Sequence, residues 1–273
     1  MLVIGGGPAG LEVARVAVER GHRVTLVERE GELGGQFRLA GRQPSRGQIR
    51  DLIAWYGRRL AALRVDLRLR TVATAADVAA AGADEVVVAT GARPPRTGFQ
   101  RALPMVDRLP GAERPEVVAI HDVLEGTATI GGRVLLLDDL GDWRGLGTAL
   151  HLAEAGHEVT IVTAAPVVGG SLFQSAADLP LRTRFTAAGG TMRPQTIVLG
   201  WDEGAASVRS TVSGAVERIA ADTLVIAETP VAETSLSTEL RDLGIPFHEI
   251  GDGVAPRRAS LAFYEGRELG RRL

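Results

Sequence analysis

Between Leu2 and Glu28 the chain passes from an apolar triplet, "LVI", through "GGGPAG" and the run "LEVARVAVERG" to "HRVTLVE". Leu11, Ala14, Ala17 and Val18 recur at helical spacing, and Gly21 ends that run. The order is strand, tight turn, helix, strand, and the second strand finishes on an acid. In a dinucleotide fold each glycine of Gly5-x-Gly7-x-x-Gly10 has a separate task. Gly5 permits the turn. Gly7, without a side chain, lets a pyrophosphate approach the backbone. Gly10 lets the helix pack on the strand. The helix start offers unpaired N–H groups and a partial positive charge. Glu28, 18 residues beyond Gly10, can accept hydrogen bonds from ribose hydroxyls. A bare glycine fingerprint also occurs in ordinary turns. Here it stands in register with its strand, helix and acid, so a dinucleotide or adenine-nucleotide site is expected. Glu28 opposes a 2′-phosphate, because two anions would meet. FAD, NAD and ADP therefore fit better than NADP.

The second half repeats the first. "RGHRVTLVEREGELGGQF" (20–37) matches "AGHEVTIVTAAPVVGGSLF" (155–173), with Gly21, His22, Thr25 and Gly35 each 135 positions before Gly156, His157, Thr160 and Gly170. The same offset carries Gly10 onto Gly145 and Ala14 onto Ala149. Two related nucleotide-binding-type units are implied. At this register "LGDWRG" (140–145) stands where "GGGPAG" stood: Leu140 replaces the turn glycine, Asp142 replaces Gly7, and Thr163 replaces Glu28. An aspartate adds a side chain and a negative charge where two phosphates would sit. The second unit is expected to keep the fold without an ordinary NAD(P) seat, so NAD(P)H binding is doubtful.

The chain holds 273 residues and no cysteine, which excludes disulfides, thiol redox chemistry and an iron–sulfur cluster held by this chain alone. A net charge of −2 gives no reason to expect a nucleic-acid partner. There is no secretion signal and no apolar run of membrane-spanning length, so a cytoplasmic location and no membrane contact are expected. Met1 runs directly into an apolar strand, which suggests a fragment or one subunit of a protein split between two genes.

"VIGGGPAGLEVARVAVERGHRVTLVEREGELGGQ", "VVVATGARP" (86–94) and "IGDGVAP" (250–256) together resemble the two-dinucleotide-binding-domain flavoprotein fold. "LGGQFRLAGRQPSRGQIRDLIAWYGRRLAAL" and "HDVLEG" (121–126) narrow the likeness. They are similar to the C-terminal half of the old-yellow-enzyme-type fusion flavoproteins, trimethylamine dehydrogenase and 2,4-dienoyl-CoA reductase. "DDLGDWRGLGTALHLAEAGHEVTIVT" looks more like the trimethylamine dehydrogenase branch.

In that family a preceding β/α barrel carries FMN and an iron–sulfur cluster. The resemblance thus implies a subunit of a hetero-oligomeric oxidoreductase, working beside a separate old-yellow-enzyme-like barrel. It also leaves open a stand-alone NAD(P)H-dependent reductase and a non-catalytic nucleotide-holding assembly module. Carried over by motif, Gly5, Gly7, Pro8, Ala9 and Gly10 would hold the pyrophosphate of FAD, or alternatively ADP. Glu28 and Arg29 would border the adenosine, and Gly34, Gly35 and Gln36 would line the passing loop. Ala89, Thr90 and Gly91 would lie near a flavin. Gly251 and Asp252 would match the late "GD" pair whose aspartate bonds the ribityl chain, or Asp252 would simply cap a turn. A helix starting near Ser260 would aim its positive end at the flavin ring.

No catalytic side chain stands out. His22 and His157 read as turn residues, and five histidines without ligand spacing give no metal site. His121 with Asp122 reads as a capped linker rather than an acid–base pair. The arginines at 46, 50, 58 and 59 read as a solvated helix face, with partner docking the alternative. Trp143 reads as a cleft filler or an interface residue. The expected architecture is α/β, with two Rossmann-like domains: 1–126 with 229–273, and an inserted 127–228.

Overall fold

A computed structural model describes residues 1–273. The chain divides into two compact units. Met1–Gly41, Arg46–Arg93 and Pro230–Leu273 form the first, and Arg42–Ser45 with Pro94–Thr229 form the second. No helix is long and apolar enough to cross a membrane.

The first unit begins with β1 (Leu2–Ile4), α1 (Pro8–Glu19), β2 (Thr25–Val27), α2 (Gly35–Ala40), α3 (Gln48–Ala62) and β3 (Asp66–Arg68). It continues with α4 (Ala75–Ala80), β4 (Val86–Val88) and β5 (Ala92–Arg93). β1 and β4 are buried apolar triplets, as central parallel strands require when both faces are covered. Thr74 and Asp77 cap the start of α4 reciprocally.

The second unit contributes β6 (Val117–Ala119), α5 (Ile120–Glu125), β7 (Arg133–Asp138), α6 (Trp143–Glu154), β8 (Glu158–Val162), α7 (Asp178–Ala187) and β9 (Thr191–Arg193). An antiparallel trio follows, β10 (Thr196–Asp202), β11 (Ala205–Ser210) and β12 (Val216–Ala220), before β13 (Thr223–Ala227). The chain then re-enters the first unit as β14 (Val231–Ala232), α8 (Ser235–Asp242), β15 (His248–Glu249) and α9 (Ala259–Arg272).

Each unit holds a five-stranded parallel sheet, ordered β15-β4-β1-β2-β3 in the first and β6-β13-β7-β8-β9 in the second. The orders correspond strand for strand, which is the doubly wound arrangement expected from the repeat. They differ in one respect: the outer strand beside β4 comes last in the chain, whereas the one beside β13 comes first. That is why residues 94–126, expected in the first unit, pack with the second. β6 pairs with β13, and Leu109 and Ala112 join the buried cluster around Trp201 and Leu224.

In the first unit α9 lies on α1 at backbone contact. A Cβ on Gly266 would stand 2.4 Å from the Ala9 carbonyl oxygen, and one on Gly270 2.9 Å from Val16 Cβ. Larger residues would hold the helices apart. This packing positions the start of α1, where the site lies.

Candidate functional site

The first glycine turn joins β1 to α1, and its glycines answer to different demands. Gly5 adopts φ +107°, and a Cβ there would lie 2.3 Å from the Ala89 carbonyl oxygen. A Cβ on Gly10 would lie 1.9 Å from the Gly5 carbonyl oxygen. The fold itself excludes side chains at both. Gly7 is different. Its backbone is extended, φ −77° and ψ −176°, as any residue adopts, and a Cβ would meet nothing within 4 Å. Nothing in the chain requires glycine there. The bare backbone opens onto space at the start of α1, which no side chain caps. Pro8 at the first helical position has no N–H, so Ala9 and Gly10 present the helix donors. A phosphate group fits that open space and those donors.

Glu28 is buried at the end of β2. One carboxylate oxygen accepts the Gly6 N–H at 2.6 Å and the other accepts the Glu30 N–H at 2.8 Å. The acid therefore braces the turn first, and its remaining lone pairs are what a ribose could use. Arg29 is exposed, beside Glu30 at 3.4 Å. Gly34, at φ +107°, donates its N–H to the Gly6 carbonyl at 2.7 Å, which ties the passing loop to the turn. Gly35, at φ +50°, sits where a Cβ would be 3.3 Å from Gly7 Cα, and the Gln36 side-chain amide donates to the Ala92 carbonyl.

Ala89 is buried past the end of β4, the Thr90 hydroxyl donates to the Glu233 carbonyl at 2.9 Å, and Gly91 accepts the Glu233 N–H. Gly251, at φ +73°, packs where a Cβ would be 2.9 Å from Ala9 Cβ. The Asp252 carboxylate accepts the Arg257 N–H at 3.0 Å, the turn-capping alternative, and α9 begins at Ala259.

Sequence reasoning missed Gly6, Glu265 and Glu233. The Glu265 carboxylate accepts the Gly251 N–H at 2.7 Å and pairs with Arg257 at 2.6 Å, which fixes the "GD" turn from α9. No local motif marks these contacts, because each joins distant segments. The buried Glu12 was also unannounced: it accepts from the buried Tyr56 at 2.8 Å and pairs with the half-buried Arg15 at 2.7 Å.

The second turn differs from the sequence alignment. Leu2, Val3 and Ile4 pair with Thr25, Leu26 and Val27, whereas Leu135, Leu136 and Leu137 pair with Thr160, Ile161 and Val162. The strands thus correspond at an offset of 133, while α6 and β8 keep 135. The β7–α6 turn is two residues longer, and Asp138, rather than Leu140, takes the place of Gly5.

The Asp138 carboxylate is buried. One oxygen accepts the Leu140 N–H at 3.0 Å and the Gly141 N–H at 2.9 Å, and the other has no protein partner. Burial pushes its pKa up to about 7; the two N–H bonds oppose this, and Asp142 and Asp139 reinforce it. Asp142 caps α6, accepting the Arg144 N–H at 2.8 Å and pairing with the Arg144 side chain at 2.8 Å. The donors a phosphate would need are taken by the chain's own carboxylates. Trp143 packs half-buried against the second core, and its carbonyl accepts from Gln43 at 2.8 Å.

The His157 ring bonds the Gly131 carbonyl at 2.8 Å. Asp122 caps α5 through the Ala119 N–H and pairs with Arg96 at 2.6 Å, while burial lowers the pKa of His121.

Residues 1–254 match the family described as pyridine nucleotide-disulphide oxidoreductase. The chain belongs to this family. It is a nucleotide-binding, Rossmann-type flavin oxidoreductase family, and this chain supplies no cysteine for the disulphide chemistry of the family's description.

N,N-dimethylglycine/sarcosine dehydrogenase of Chromohalobacter salexigens is 42% identical over 177 residues, covering 63% of this chain and 25% of that protein. NADH oxidase of Thermoanaerobacter brockii is 30% identical over 92% of this chain and 37% of that protein. Among solved structures, 6-hydroxypseudooxynicotine amine oxidase from Pseudomonas geniculata N1 superposes with a TM-score of 0.93 at 30% identity, covering 99% of this chain and 41% of that one. The chain therefore spans about a quarter to two fifths of the length of these relatives. The likeness to the C-terminal, nucleotide-binding half of trimethylamine dehydrogenase-type flavoenzymes is borne out.

Proposed function

We propose that this chain is the FAD-holding subunit of a multi-subunit flavin oxidoreductase. In this reading it relays electrons to or from a partner that carries FMN, an iron–sulfur cluster or both. The observation that carries the reading is the contrast between the two turns. Gly7 opens an unfilled, uncapped helix start in the first unit, whereas Asp138 and Asp142 close the second with their own carboxylates. One nucleotide per chain follows.

When bound, FAD supplies one- and two-electron redox chemistry. The chain's own part is to hold and orient it. Gly5, Gly7, Pro8, Ala9 and Gly10 shape the phosphate seat, and Glu28 and Arg29 border the adenosine. Gly34, Gly35 and Gln36 form the passing loop. Ala89, Thr90, Gly91, Gly251 and Asp252 lie toward the flavin end. With no cysteine in this chain, any iron–sulfur cluster belongs, in this reading, to the partner. The long relatives, of which this chain matches only a part, support a separate old-yellow-enzyme-like barrel as that partner.

A second reading, a stand-alone NAD(P)H-dependent reductase, is favoured by the NADH oxidase that matches 92% of the chain. Anaerobic titration with NADH separates the two. Under the first reading the flavin absorbance persists with NADH alone and bleaches only when a reduced barrel partner is added. Immediate bleaching by NADH alone supports the second reading.

A further inference from the structure

We infer that Arg70 is a specificity-determining residue of the first unit, its guanidinium forming the wall on which the adenine end of the nucleotide rests. This rests on the nucleotide reading above and adds a residue that no motif marks.

β2 and β3 keep pairing past their ends. The Glu28 N–H donates to the Arg68 carbonyl at 2.9 Å, the Arg70 N–H to Glu30 at 3.0 Å and the Thr71 N–H to Glu28 at 3.0 Å. Arg70 is thereby fixed beside the segment Glu28–Gly31, whose first residue grips the Gly6 N–H of the phosphate turn. Turn, acid and guanidinium form one continuous rim.

Three further features single out Arg70. Its guanidinium occupies the space a side chain would take at position 31: a Cβ on Gly31 would stand 3.1 Å from both Nε and Nη2 and 3.3 Å from Cζ. It forms no ion pair, although its neighbours are engaged, Arg68 with Asp66 and Arg29 with Glu30. Its backbone sits at φ +52°, the left-handed region that favours glycine or asparagine. The sequence thus accepts strain to hold an exposed, unpaired, planar cation at the acid end of the site. A guanidinium there stacks on a purine face and adds positive potential toward the phosphates. Stacking has little preference among bases, so this wall selects for a nucleotide with a base over FMN.

The test uses the full chain freed of nucleotide and titrated with ADP by calorimetry, with FAD as a second probe and FMN as the control. Arg70→Gly relieves the backbone strain, so the unliganded Tm is expected to hold or rise. The ADP and FAD dissociation constants are expected to rise on the order of 5- to 20-fold from the lost stacking, with FMN binding unchanged. Arg70→Lys, which keeps the charge without the plane, recovers only part of that affinity. Equal ADP affinity in wild type and Arg70→Gly overturns the role of Arg70 alone. A wild type that binds neither ADP nor FAD overturns the nucleotide reading and this inference with it.

Discussion

Substituting Asp138 by asparagine isolates the energetic cost of the closed second turn. The carboxyl is 1% exposed, one oxygen has no partner, and burial pushes its pKa up to about 7 from the ordinary aspartate value of about 3.9. A group whose folded pKa is raised holds its proton in the native state after the unfolded chain has released it. Its contribution is therefore fully present below about pH 4 and is lost as pH rises toward 7. Holding that proton up to about pH 7 is worth at most ~4 kcal/mol, and relaxation of the turn lowers that ceiling.

Other groups titrate nearby. His121 and His151 have lowered pKa values, chiefly through burial, and give the opposite slope, stability gained as pH rises to about 6.5. The informative quantity is thus the difference between wild type and Asp138→Asn, in which the histidines cancel. Asparagine can still accept from Leu140 and Gly141. Its amide nitrogen leaves two buried N–H donors unpaired, a pH-independent offset of about 1–3 kcal/mol or more. Guanidinium unfolding between pH 5 and pH 8, followed by fluorescence of Trp143 and Trp201, gives both curves. The wild type is expected to lose about 1–2.5 kcal/mol relative to the variant across that range. Parallel curves would refute the assignment of a buried, proton-holding Asp138.

Four further outcomes follow from the geometry. Gly7→Ala should leave the Tm of the unliganded chain unchanged or raised by the equivalent of up to about 1 kcal/mol, yet weaken nucleotide binding, since its Cβ meets only the open seat; calorimetry and thermal melts on one sample check both. Gly7→Asp should abolish the bound nucleotide, while Asp142→Gly leaves the nucleotide content of the purified chain as it was; equal losses would mean that the wrong turn has been assigned. Gly10→Ala should unfold or severely destabilise the first unit, because a Cβ would stand 1.9 Å from the Gly5 carbonyl oxygen, and circular dichroism melts register it. Tyr56→Phe removes a bond to the buried Glu12 carboxylate and should cost about 1–3 kcal/mol in chemical denaturation, less if Arg15 compensates.

Much of the first site is readable from sequence because its constraints are local. Gly5 and Gly10 are fixed by contacts within one turn and one neighbouring strand, and Glu28 follows at the length of one helix and one strand. The longer second turn is not readable. Matching glycine to glycine slides Gly141 onto Gly6, and only the strand pairing shows that Asp138 holds the place of Gly5. The assignment of 94–126 fails for a similar reason. β6 lies in that stretch, and which sheet an outer strand joins is set by tertiary pairing with β13. Arg42–Ser45 belong to the second unit through single long-range bonds, such as Arg42 to the Leu124 carbonyl, that no periodicity records. Gly266 and Glu265 lie in a helix of ordinary composition, and their roles arise only where α9 meets α1 and the "GD" turn.

The central claim is that the first unit holds one FAD and the second holds no nucleotide. Denaturing the purified chain and separating the released compounds by chromatography, against a protein concentration from amino-acid analysis, tests it directly. FAD at close to one equivalent, with no second nucleotide, is the predicted result. ADP alone, two nucleotides per chain, or none would contradict it.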